Sequence, residues 1–97
     1  IHMKDGVILG KGLGNPDWNC SAPHGAGRVL ARNKALKTLD MDEFTKEMEG
    51  IYSTSVCRQT LDESPMAYKD KDLIMQAIQD TATIIDTIKP IMNIKAL

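Results

Sequence analysis

Gly10, Gly12, Gly14, Pro16 and Pro23 crowd into residues 10–23, interleaved with Asn15, Asp17 and Asn19. Glycine loses the most backbone entropy on ordering, and proline lacks the N–H that helices and ladders need. Such a stretch disfavours regular elements, so it is expected to be a loop. The chain is thereby split into a short leading piece and a longer remainder. The leading piece holds Val7-Ile8-Leu9, an apolar run between Gly6 and Gly10 that fits a buried strand. Trp18 is expected to pack the loop down, with base stacking as the sharper alternative.

The loop leads into Ser21-Ala22-Pro23-His24-Gly25-Ala26-Gly27-Arg28. The residue before a proline avoids the helical region, so Ala22-Pro23 brings the chain to His24 extended. Gly25 and Gly27 carry no Cβ, and backbone N–H groups there can come close to a ligand. A first helix is expected from about Gly25 to Lys37, which would aim its free N–H groups at the same place. Arg28 and Arg32 would then lie one turn apart on one face. The pattern fits a phosphate site with His24 as nucleophile or general acid/base, although on the residues alone a plain glycine turn with a capping or hydrogen-bonded histidine is the commoner arrangement.

Farther on, Asp40 and Glu43 read as a capping box opening a second helix. Met41, Phe44 and Met48 recur at helical spacing and should face the core, with Gly50 as the stop. Residues 51–56 are rich in strand formers, and Pro65 sets a loop over residues 62–68. Asp70 is expected to cap a long third helix that Pro90 ends, with Leu73, Ile74, Ile78, Ile84, Ile85 and Ile88 on its apolar side. Residues 91–95 make a terminal strand. The expected fold is α+β, three helices packed on a small sheet of residues 7–9, 51–56 and 91–95.

The 97 residues make one domain at most, and 4% aromatics leave the core to Ile, Leu, Val and Met. A formal net charge of −1 argues against a nonspecific nucleic-acid binder, although Lys4, Lys11, Arg28, Arg32, Lys34 and Lys37 gather near His24. Cys20 and Cys57 have no metal-ligand spacing and make no disulfide framework, so a reducing, cytoplasmic setting is expected. No apolar run reaches membrane-spanning length.

The run from Gly14 to Arg28 resembles the signature of the RtcB family of RNA-splicing ligases. The likeness continues in Met48-Glu49-Gly50-Ile51-Tyr52, in residues 61–69 (Leu-Asp-Glu-Ser-Pro-Met-Ala-Tyr-Lys), and in Ile91-Met92-Asn93-Ile94-Lys95-Ala96. It spans essentially the whole chain, in order. Two departures stand out: Ala31-Arg32-Asn33 where many relatives have Ser-Arg-Ser, and Cys20 where the residue is often aromatic.

The resemblance implies the C-terminal fragment of a larger catalytic fold, over residues 1–97. It implies an enzyme that joins RNA 3′-phosphate or 2′,3′-cyclic phosphate ends to 5′-hydroxyl ends with GTP and manganese. His24 would be the histidine that becomes guanylylated. Gly25, Ala26, Gly27, Tyr68, Lys95, His2 and Met3 would lie by the nucleotide, and Arg28 and Arg32 by RNA phosphate or polyphosphate. The family's manganese ligands lie upstream, so none is assigned here. The fragment alone is expected to be inactive and to self-associate through uncovered apolar surface. The alternative is a noncatalytic nucleotide- or partner-binding fragment.

Overall fold

The computed structural model describes residues Ile1–Leu97. Strand β1 (Val7–Gly12) is followed by helices α1 (Arg32–Thr38) and α2 (Met41–Glu47) and the short strand β2 (Tyr52–Ser53). Helix α3 (Lys71–Ala77), strand β3 (Ala82–Ile88) and strand β4 (Met92–Asn93) complete the chain. Single 3-10 turns fill Pro16–Trp18, Arg58–Glu63 and Pro65–Ala67. The class is α+β, with three α-helices.

The strands pair differently from the expected single sheet. β1 runs antiparallel to β3, from Val7 opposite Ile88 to Gly12 opposite Ala82, with a register shift between Leu9 and Gly10. β2 and β4 form a separate parallel pair, Tyr52 with Met92 and Ser53 with Asn93. Residues 51–56 and 91–95 therefore do meet, over two residues each, but Val7-Ile8-Leu9 belongs to the other pair, with β3.

The long third helix is also corrected. It stops at Ala77, and the segment expected to be its second half is β3. Five of the seven β3 residues, Ala-Thr-Ile-Ile-Asp-Thr-Ile, are β-branched and stiff at χ1, which suits a pleated strand better than a helix. The Thr81 hydroxyl and the Ala82 amide both bond the Ile78 carbonyl, closing a turn without glycine or proline.

Helix α1 begins at Arg32, seven residues later than expected, because Gly27 adopts φ +76 and the backbone there bonds across to another segment. Gly27 accepts from the Lys69 amide at 3.1 Å, and Val29 donates to the Ala67 carbonyl at 2.9 Å. The Gly27 carbonyl and the Val29 amide are thus taken up by a strand-like strap, not a helix. Asp40 caps α2 by accepting from the Asp42 amide at 3.0 Å, but the reciprocal Glu43 half of the box is not formed. Asp70 caps α3 in the same way through Asp72.

The core is Met3, Phe44, Met48 and Leu61, with Leu39, Met41, Ile51, Val56 and Met66 packed against it. The α2 face is thus as the spacing predicts. Around this nucleus the molecule is open. Its accessible surface is 6690 Å², against roughly 5,500 Å² for a folded monomer of this mass. Its radius of gyration is 14.7 Å, against about 12.5 Å for a compact domain of this length. Val7, Leu9, Ile85 and Ile88 on the β1–β3 pair remain exposed.

Gly6 fixes how β1 enters that pair. It sits at φ +80, and a Cβ there would collide with the Ile88 carbonyl oxygen and lie 2.8 Å from Pro90 Cδ. Gly6→Ala should therefore cost about 2 kcal/mol or more, combining left-handed strain with displaced backbone. A thermal melt within a degree of the parent would refute this close approach.

Candidate functional site

Residues 22–26 take part in no hydrogen bond within the chain, whether through backbone or side chain. The amides of His24, Gly25, Ala26 and Gly27 are all without a partner, although Ala26 is buried. Buried amides are almost always paired in native proteins, which makes Ala26 the exception, while the exposed amides of His24, Gly25 and Gly27 are open to water or to a ligand. They border an open cavity of about 390 Å³, where His24 meets Ile8, Ile74, Ile78 and Ala82. The expected helix N-terminus is absent from this site, since α1 starts eight residues beyond His24. Whatever anion affinity the loop has comes from its own N–H groups.

A second open cavity, about 400 Å³, shares Gly25 and Ala26 and is bordered by Trp18 and Lys69. Trp18 is 55% exposed, so it is not the packing anchor of its loop. Asn15 does that work. Its Oδ1 accepts from the Asp17 amide and its Nδ2 donates to the Asp80 carbonyl, both at 3.0 Å, tying the loop to the start of β3. Lys69 was not singled out by its sequence context. Its ammonium runs past Gly27, with Nζ 3.6 Å from where a Cβ would stand. A Cβ would only touch that side chain; what calls for glycine here is the left-handed φ of +76.

The strap between residues 27–29 and 67–69 brings Arg28 onto Tyr68. The guanidinium carbon stands 5.0 Å from the ring centroid, and Nη1 donates to the phenol oxygen at 3.3 Å. Arg28 also bonds the Leu30 and Asp62 carbonyls. Arg32 pairs with Asp62 and Glu63 from the start of α1. The two arginines converge on the Asp62-Glu63 turn, not on one helix face, and both are committed to internal partners.

Glu63 is the hub. It accepts the Tyr68 hydroxyl at 2.7 Å and lies 3.6 Å from the Lys95 ammonium. Lys95 is brought there by Ser55, whose hydroxyl exchanges hydrogen bonds with the Lys95 amide and carbonyl beside the β2–β4 pair. The hydrogen bond from Arg32 holds the Glu63 carboxyl down at about 2, helped by Tyr68 and Lys95. Burial, then the Glu63 contact, pushes the Tyr68 phenol up.

Because the folded Glu63 carboxyl titrates below its unfolded value, its contribution is complete above about pH 4.5 and lost as pH falls towards 2. The full shift would set a ceiling of about 3 kcal/mol. Arg32 is 62% exposed, and solvent screening brings the expectation nearer 1 kcal/mol. Glu63→Gln should lower stability at pH 5–7 and flatten the stability curve between pH 5 and 2. An unchanged acid slope would contradict the pairing.

His2 lies beside this cluster, its ring centroid 6.1 Å from that of Tyr68. Its Nδ1 accepts from the Lys4 and Asp5 amides at 3.3 and 3.4 Å, while Nε2 is 3.0 Å from the Asp5 carboxylate. That pattern suits the tautomer protonated on Nε2. Burial dominates and lowers its pKa, against the opposing pull of Asp5. Met3 is 1% exposed and belongs to the core with Phe44, Met48 and Leu61, so its side chain is turned inward. No three His, Cys, Asp or Glu side chains converge as a metal donor set, so the chain's own residues do not fit a manganese site. Cys20 and Cys57 are free, and no helix is long and apolar enough to cross a membrane.

Fold and site together define an α+β module that presents an unpaired glycine-rich loop beside an aromatic–cationic cluster. Comparison with known proteins then gives the family. The family model described as tRNA-splicing ligase RtcB matches residues 2–96, and the chain belongs to that family. It is 38% identical over 88 residues to the RNA-splicing ligase RtcB of Escherichia coli strain K12, covering 88% of this chain and 21% of the relative. It is 37% identical over 73 residues to the tRNA-splicing ligase RtcB of Aeropyrum pernix, covering 72% of this chain and 15% of that protein. The chain thus spans about a fifth or less of these relatives.

Proposed function

We propose that this chain is the segment of an RNA ligase that carries its nucleotide-accepting histidine. The observation behind the reading is the run of unpaired amides at His24–Gly27 beside an open cavity. The imidazole nitrogen of His24 attacks the α-phosphorus of GTP; a P–N bond forms, the α–β P–O bond breaks, and pyrophosphate leaves. The loop amides stabilise charge growing on the α-phosphate oxygens. The guanylyl group then passes to an RNA 3′-phosphate, and a 5′-hydroxyl displaces GMP to close the phosphodiester. A 2′,3′-cyclic end enters once opened to the 3′-phosphate. Tyr68, Lys95 and His2 form the base-facing end, while Lys69 and Trp18 border the loop side. Manganese bound by residues outside this chain would supply charge neutralisation at the phosphates.

Lacking metal donors, the 97 residues alone should bind GTP weakly and ligate nothing. The exposed β1–β3 face favours a second reading for this isolated piece, self-association or binding of a partner.

The test is to treat the full-length parent with α-labelled GTP and manganese and map the adduct by mass spectrometry. An acid-labile guanylyl group on His24 is expected. An adduct on a lysine, or none, overturns the assignment.

A further inference from the structure

Two of the residues assigned above to the base-facing end, Tyr68 and Lys95, share one partner, Glu63, five residues before Tyr68. We propose that Glu63 is a positioning residue, whose single carboxylate orients the Tyr68 ring and the Lys95 ammonium for contact with the nucleotide base. This rests on the nucleotide-accepting reading given above.

The geometry separates its two oxygens. Oε1 takes the Arg32 guanidinium, while Oε2 takes the Tyr68 hydroxyl at 2.7 Å and faces Lys95 Nζ at 3.6 Å. The Glu63 side chain is only 21% exposed, so the contacts are partly shielded and their geometry is held better than on an open surface. Arg32 has Asp62 at 2.9 Å as well and does not depend on Glu63 alone.

The arrangement decides what each group can still offer. The Tyr68 proton is committed to Glu63, and the phenol oxygen receives Arg28, so a ligand meets the ring and not a donor hydroxyl. Lys95 has three protons and points one towards Glu63, leaving two for acceptors on the ligand. Without the carboxylate, Tyr68 is free to turn about χ1 and Lys95 regains its rotamers. The ligand would then have to order both, which weakens binding without touching the reacting atoms.

The test uses the full-length parent in two backgrounds. With His24→Ala, where no covalent step intervenes, GTP binding is measured for Glu63→Gln, Tyr68→Phe and the double variant. With His24 intact, the rate of adduct formation is followed against GTP concentration. Glu63→Gln is expected to weaken GTP binding about tenfold and to raise KM likewise, with the maximal rate held within about threefold. The double variant should bind clearly better than the product of the two single effects, because both remove the Glu63–Tyr68 link. Tyr68→Phe, which removes the hydroxyl shared by Glu63 and Arg28 but leaves Lys95 beside the carboxylate, gives a smaller KM rise in the same direction even where Glu63→Gln cannot be purified.

A merely structural Glu63 would lower the active fraction and melting temperature and leave KM alone; that result overturns the proposal, as do additive effects. A parent that binds GTP and loses nothing in Glu63→Gln or Tyr68→Phe overturns this proposal alone. A parent that binds no GTP overturns the nucleotide reading and this proposal with it.

Discussion

Full-length parent protein carrying His24→Ala should form no covalent nucleotide adduct under conditions where the unaltered protein labels. The expected loss is about a thousandfold or more, since the variant removes the atom that would bond to phosphorus. Noncovalent GTP affinity should stay within about threefold, because the amides of residues 24–27 belong to the backbone and survive the substitution. Equal labelling of His24→Ala and parent would move the nucleophile elsewhere. A collapse of GTP affinity in His24→Ala would instead make His24 a binding group.

Phe44→Ala should remove the cooperative melt of the 97-residue chain. Phe44 is 0% exposed and is the largest member of a four-residue core. Truncating a buried phenylalanine costs about 3–5 kcal/mol through lost transfer energy and the cavity left behind. Whole domains are stable by only about 5–15 kcal/mol, and a molecule with 12 buried residues among 97 belongs at the low end. Leu36→Ala on the exposed side of α1 is the control and should change stability by no more than about 0.5 kcal/mol. A Phe44→Ala melt within two degrees of the parent would show that the core lies elsewhere.

The second helix was legible because everything local agreed there. Asp40 supplies a cap, and Met41, Phe44 and Met48 keep one face of a 3.6-residue period. The third helix was overextended because Leu73 to Ile88 keeps apolar residues at helix-like intervals through a turn with no glycine or proline. Only pairing with β1, from Gly12 opposite Ala82 to Val7 opposite Ile88 and so far earlier in the chain, reveals residues 82–88 as a strand, and no local window holds that partner. The first helix was started too early for a related reason. The Lys69 amide, not a following turn, claims the Gly27 carbonyl.

At the site, the histidine leading into a Gly-Ala-Gly run was visible as a pattern, while Tyr68 and Lys95 were reached only through the family resemblance. Glu63 was not, since an acidic residue beside another acid in a turn looks like solvated charge. Its importance comes from Arg32, Tyr68 and Lys95 arriving together from three places in the chain. Asn15 was hidden in the same way, as a loop asparagine whose partner at Asp80 is visible only after folding.

The bond-free segment at residues 22–26 hangs between two fixed points, the Asn15-anchored turn before it and the Lys69 strap after it. Such a span behaves like a short rope tied at both ends. Its middle can shift sideways while its ends stay put, and the shift breaks nothing inside the protein. In the reaction proposed above, His24 would have to meet one phosphate and then hand its group to another, which needs travel between two positions. A mount of this kind would give it that travel for the cost of a few torsions, with the neighbouring cluster left in place.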